Sequence, residues 1–185
     1  GSSGIGLGYA NALARAGFDL ILVARGEDKL RAEAGRIEGG YKVQVKTLAA
    51  DLSVAGAARY IAEAVADLDI GVLINNAGTG YIGRFDRQPI ENHTQLVTLH
   101  CTAPVELTAL LLPRMQARGR GAIVLVASAG AFVPLPYYSV YSGTKDFLAT
   151  WGEALAVELD GSGVDVLVVA PGDTKTNFQA VSGEM

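Results

Sequence analysis

The stretch Ala122–Lys145 reads AIVLVASAGAFVPLPYYSVYSGTK. Its opening run, Ala122–Val126, is apolar and rich in β-branched side chains, the pattern of a strand buried in a sheet. Ser128, Gly130, Pro134, Pro136 and Ser139 then break the chain into a loop. From Tyr141 the pattern turns helical and runs to Leu159, and a second β-rich run, Val164–Ala170, follows it. Gly121–Thr144 has no charged residue and is long enough to span a bilayer, but its prolines and turn residues would leave backbone groups unpaired in lipid. A buried strand with a site loop is the reading adopted, with no membrane insertion.

Within this stretch Tyr141 and Lys145 are four residues apart, so a helix stacks them one turn apart on one face. A phenol ionises near pH 10, and a neighbouring ammonium pulls that value towards the working range of an acid or base. Ser128, delivered from the end of the preceding strand, can polarise a carbonyl that the tyrosine protonates. The set suits reduction of a ketone or oxidation of an alcohol. A solvated helix face carries such a Tyr/Lys pair equally well, so the rest of the chain has to decide.

Upstream, Gly1–Gly17 reads as a glycine-rich turn feeding a helix, with Ile5, Tyr9, Leu13 and Ala16 on one stripe. Glycines there permit close approach of a phosphate to free N–H groups at the positive helix end, or simply close packing. Asp19–Ala24 (DLILVA) is a buried strand ending at Arg25, where dinucleotide folds place an acid for the ribose of NAD or a base for the 2′-phosphate of NADP. With Arg25 there, and Ser2 and Ser3 as hydroxyl donors, NADP(H) is the expected cofactor. Glu27–Ile37 is a polar helix and Val43–Leu48 an alternating strand leading to Asp51 and Leu52; Ser53 is expected to cap a helix from Val54 to about Ala66. Ile70–Ile74 is the next strand, entering Asn75, Asn76, Ala77 and Gly78. These four are either a ligand-facing turn or one held by local asparagine bonds.

A long helix is expected from about Pro89 to Ala117, kinked at Pro104. Its outer face and that of the Tyr141 helix are candidates for a homodimer or homotetramer interface. His93 and His100 are seven apart without a third ligand, so no metal is expected; Cys101 reads as a small buried apolar residue. After Val164–Ala170 come Pro171, Gly172, Asp173, Thr174, Lys175 and Thr176. Alternating strands and helices imply an α/β fold, a Rossmann-like doubly wound parallel sheet with helices on both faces. Ligands collect beyond the carboxyl ends of such strands, and Arg25, Asp51, Asn75, Ser128 and Pro171 all fall there.

The 185 residues suffice for one domain, 1–185. A net charge of -4 with no basic run excludes a nucleic-acid groove. The single cysteine fits a reducing compartment, and the expected localisation is cytoplasmic.

Over essentially its whole length the chain resembles the short-chain dehydrogenase/reductase family. GSSGIG at Gly1–Gly6 is similar to the latter part of the TGxxxGIG cofactor turn, which the resemblance would complete with a first strand and opening residues outside this sequence, as it would the segment after Met185. By the same resemblance Ser2, Ser3, Gly4, Ile5 and Gly6 face the cofactor, Asp51 and Leu52 contact adenine, and Asn75, Ala77 and Gly78 belong to the NNAG signature. Ser128, Tyr141 and Lys145 match the catalytic serine and YxxxK; Pro171, Gly172, Thr174 and Thr176 lie on PGxxxT, which lines the nicotinamide. The resemblance makes Tyr141 the acid/base, has Ser128 orient the carbonyl, and has Lys145 hold the ribose and lower the tyrosine pKa. His100 stands where the family usually has an asparagine anchoring a relay water, and a modified proton relay through the histidine is expected.

The function expected is NADP(H)-dependent interconversion of a ketone and a secondary alcohol, acting on a small-molecule carbonyl or alcohol. The alternatives are an NADP(H)-binding sensor with little turnover and an epimerase or dehydratase on the same fold. Phe132, Val133, Leu135, Pro136, Tyr137 and Tyr138 border the site and suggest an apolar pocket, compatible with a steroid, an acyl chain or a small ketone.

Overall fold

The computed structural model describes residues 2–172 and 174; Thr176 of the expected nicotinamide-side set, with Gly1, Asp173 and Lys175, lies outside them. In order the elements are α1 (Gly4–Arg15), β1 (Leu20–Ala24), α2 (Glu27–Gly40), β2 (Val45–Ala49), α3 (Ala57–Ala64), β3 (Val72–Asn75), α4 (Ile90–Val97), α5 (Ala103–Arg118), β4 (Gly121–Val126), α6 (Ser139–Glu158) and β5 (Val164–Val169). Helices thus alternate with short apolar strands, as the patterning requires.

All strand pairs among the described residues are parallel. β1 pairs with β2, running from Leu20 opposite Val45 to Ala24 opposite Ala49. β4 pairs with β3 on one side (Asn75 opposite Leu125) and β5 on the other (Val126 opposite Val169). Among the described residues the strands pair in the orders β1–β2 and β3–β4–β5. The registers bring the carboxyl ends of the paired strands level, and Arg25, Asp51, Asn76, Ser128 and Pro171 follow those ends.

Leu48, Ala58, Ile61, Val65, Leu107 and Leu111 form a core shared by both groups of strands, with Ile21 and Val23 of β1 and Leu73 of β3 packed against it. Ala10, Ala14, Leu20, Leu22, Leu30 and Ile37 pack α1 and α2 on β1. Met115, Ile123, Leu125 and Leu148 join α5, β4 and α6, and each buried side chain of that size contributes about 1.5–3 kcal/mol. Gly152 lets α6 lie close, since a Cβ there would stand 2.4 Å from Val168 Cγ2 and 2.7 Å from Leu125 Cδ1.

Three local expectations are corrected. On α1 the buried stripe is Gly6, Ala10 and Ala14, while Ala16 is exposed: small residues face the sheet so that the helix approaches closely. Ser53 does not cap α3. Asp51 Oδ1 accepts from both the Ser53 amide (2.9 Å) and its hydroxyl (2.6 Å), and the helix begins only after Gly56, whose φ is +85°. The long helix is not merely kinked at Pro104. Thr98–Thr102 is a π-helical segment in which the Ala103 amide reaches back to the Thr98 carbonyl, and α5 restarts with Pro104 in its first turn. Pro104 has no N–H to give to the His100 carbonyl, which removes the α-type bond there. Ile90–Arg118 is long and apolar enough to cross a membrane by length and composition, but its Leu96, Leu107, Leu111 and Met115 are buried in the fold.

Candidate active site

Two groups of side chains meet at the carboxyl edge of the sheet. The first surrounds the start of α1. Gly4 has φ +53°, a conformation glycine adopts without strain, and the helix that follows has no acidic residue in its first turn. Its free amides and positive end are therefore unopposed, as an anion site requires. Ser3 is exposed, Ser2 and Ile5 are half-buried, and Gly6 is buried. Beyond β1 and β2, Arg25 Nη1 stands 3.9 Å from Asp51 Oδ2. Burial alone would raise the Asp51 pKa, but the Ser53 hydrogen bonds and the Arg25 charge outweigh it and hold the carboxyl below its ordinary value. An uncapped helix start, an exposed guanidinium and small residues at Ala77 and Gly78 fit a phosphorylated dinucleotide in size and charge.

The second group is built on α6. Ser139–Glu158 forms a helix, so Tyr141 and Lys145 do share a face, with the Lys145 Nζ 6.0 Å from the centre of the Tyr141 ring. Lys145 is only 4% exposed. Its ammonium donates to the Val126 carbonyl at the end of β4 (2.8 Å), and burial pushes its pKa down to about 8, with Cys101 opposing the shift. Two residues beyond Val126, Ser128 caps the 3₁₀ turn Ala129–Ala131, its Oγ accepting from the Gly130 amide (3.1 Å). That turn packs on α6. The Ala127 amide donates to Val169 O (2.8 Å) and the Ala129 amide to Pro171 O (2.9 Å), so the Ser128 and Pro171 loops are bound together. Thr174 is exposed beyond Gly172, with its hydroxyl on the Gly172 carbonyl (3.0 Å). Asn75 is buried and donates to Thr108 Oγ1 (3.3 Å), a packing bond that leaves Ala77 and Gly78 as the exposed part of its turn.

His100 lies beside the Tyr141 ring. It is fully buried, and burial, then the Lys145 charge, lower its pKa well below the usual imidazole value. The Thr79 amide donates to Nε2 (3.1 Å), while Nδ1 lies 2.9 Å from Thr144 Oγ1. Both ring nitrogens are thus hydrogen-bonded inside the fold. Thr79 and Thr144 were not singled out by motif. The missing N–H of Pro104, four residues after His100, was the available signal that this turn is irregular.

On the open side a small cleft beside Tyr141 is lined by Tyr81, Phe85, His93, Tyr137 and Tyr138. The Gly83 amide donates to Tyr137 O (2.9 Å), closing the two loops over it; Tyr137 is exposed with φ +68°, a strained conformation for a residue other than glycine. His93 stacks on Phe85 at 4.3 Å. Phe85, Phe132, Val133 and Tyr137 form exposed apolar surface on these loops.

A family model described as short chain dehydrogenase matches residues 1–185. Among curated proteins, a very-long-chain 3-oxoacyl-CoA reductase of Danio rerio is 37% identical over 174 residues, covering 92% of this chain and 54% of that protein. The chain thus spans about half the length of the curated relatives it matches. Among solved structures, a short-chain dehydrogenase from Sphingobium yanoikuyae in complex with NADPH superposes with a TM-score of 0.94 at 39% identity, covering 98% of this chain and 72% of that one. A bulky-bulky ketone specific alcohol dehydrogenase from Comamonas testosteroni gives 0.90 at 35% identity, covering 94% and 70%.

Proposed function

The chain belongs to the short-chain dehydrogenase family, and on that footing we propose that it is an NADP(H)-dependent oxidoreductase interconverting a ketone that carries bulky apolar groups and the corresponding secondary alcohol. The observation that carries this reading is the Tyr141–Lys145 pair on one face of α6, with the lysine buried at the end of β4 two residues from Ser128. An ammonium buried there costs stability, and its value lies in the field it exerts on the phenol.

The bound nicotinamide would supply or accept hydride at the carbonyl carbon. Tyr141 holds the proton that the carbonyl oxygen gains on reduction and retrieves it on oxidation. Lys145 stabilises the phenolate left behind, and the Ser128 hydroxyl orients the oxygen. Arg25 receives the 2′-phosphate, and the N–H groups at the start of α1 the pyrophosphate. The relative that reduces 3-oxoacyl-CoA and the neighbour specific for bulky-bulky ketones support the substrate class, together with Phe85, Phe132, Val133 and Tyr137 around the site. Exposed Val97, Val105 and Phe147 on α4, α5 and α6 support self-association through those helices.

NADPH consumption by the full-length protein across a panel of bulky ketones and 3-oxoacyl thioesters tests the proposal. Tyr141→Phe is expected to lower turnover by about 10²–10⁴-fold, the span of general acid catalysis. Retained turnover in that variant would refute the mechanism. NADPH binding without consumption across the panel would select a sensor instead.

A further inference from the structure

We propose that His100 is a positioning residue: as a neutral imidazole locked in one tautomer it braces the Gly78–Thr79 turn to the Tyr141 helix, and it carries no proton during turnover. This rests on the reading of Tyr141 as the acid.

The tautomer follows from the partners. A backbone amide can only donate, so the Thr79 N–H requires a bare lone pair on Nε2. A neutral ring then carries its hydrogen on Nδ1, which donates to Thr144 Oγ1. The Thr144 hydroxyl has one proton of its own and gives it to the Tyr141 carbonyl at 2.8 Å. One directed chain therefore runs from Thr79 through His100 and Thr144 to the backbone of the residue assigned the acid. Reversing the His100–Thr144 bond would put the ring proton on Nε2, face to face with the Thr79 N–H, and take the Thr144 proton away from the Tyr141 carbonyl.

Packing leaves the ring little freedom. The π-helical turn Thr98–Thr102 brings His100 fully inside, and its ring meets the Tyr141 ring edge to face at 5.8 Å. On the opposite side a Cβ at Gly78 would stand 3.1 Å from Nε2, so the imidazole lies against that turn and the glycine is what admits it. The titratable groups around it are Tyr141 and Lys145 from α6 and Cys101 from its own turn, and the Lys145 cation opposes a second positive charge. A proton added to Nε2 would also point at the Thr79 N–H and break the brace. Sequence offers the parts, a histidine four residues before a proline and a threonine just before the lysine, but only the fold joins them.

Long-range ¹H–¹⁵N spectra of the full-length protein labelled in histidine test this, with His100→Phe assigning the signal. The expected result is a proton on Nδ1, none on Nε2, and no titration between about pH 5 and 8. His100→Phe keeps a ring and loses both bonds; misplacing the acid should lower kcat on the order of 10–100-fold without moving either limb of the pH–rate profile. His100→Asn, which keeps a donor and an acceptor, should recover part of that loss. A His100 that titrates in this range, a proton on Nε2, or wild-type kcat in His100→Phe would overturn the proposal. If His100→Phe fails to fold, the wild-type spectrum alone decides. The imidazole signals need no turnover, so the expected tautomer in a protein that reduces no carbonyl would refute the function and leave the brace standing.

Discussion

The strand ends treat charge in two opposite ways. At the ends of β1 and β2, Arg25 and Asp51 face each other 3.9 Å apart with side chains 67% and 36% exposed. A pair so solvated contributes at most about 1 kcal/mol, so both groups can turn to a ligand at little cost to the fold. At the end of β4, Lys145 is buried with its ammonium on the Val126 carbonyl, and among the described residues no carboxylate pairs with it. An apolar side chain would suit that position better for folding alone. Charge at the first edge is inexpensive and adaptable; at the second it is fixed and held against the fold's preference. Recognition suits the one and proton chemistry the other.

Lys145→Met is expected to break the second edge most severely, lowering kcat for ketone reduction by about 10²-fold or more while the protein stays folded, as steady-state rates and circular dichroism would establish. Arg25→Ala tests the first edge. It removes a charge-assisted contact to phosphate, so the NADPH dissociation constant should rise about 10–100-fold with NADH binding and melting temperature little changed. Equal loss for both cofactors would mean that Arg25 does not read the phosphate.

The two edges also differed in how far the sequence exposed them. The alternation of strands and helices, the level strand ends and the shared face of Tyr141 and Lys145 follow from periodicity alone, because burial in a parallel sheet demands apolar runs and a helix fixes its i to i+4 neighbours. The brace around His100 was not legible. It joins Thr79, His100 and Thr144 across long sequence separations, and a hydrogen bond between distant elements leaves no period in the sequence. The late start of α3 was missed because Ser53 has two uses, and the Asp51 carboxylate two residues earlier competes successfully with the helix for it. Nor did patterning anticipate the chain of side chains from Asp51 through Ser53 and Gln95 to Tyr81, which ties the Arg25 edge to the cleft beside Tyr141.

The claim that a charge is held at Lys145 against the fold's preference has a direct measure. A lysine whose pKa falls from 10.5 unfolded to about 8 folded binds its proton more weakly in the folded state. Its cost is then fully present below about pH 8 and is relieved as pH rises towards 10.5, where the unfolded chain binds more protons. Denaturant unfolding of the wild type and Lys145→Met across pH 7 to 11 should show the wild type gaining about 3 kcal/mol relative to the variant over that interval. Parallel pH profiles for the two proteins would contradict the account.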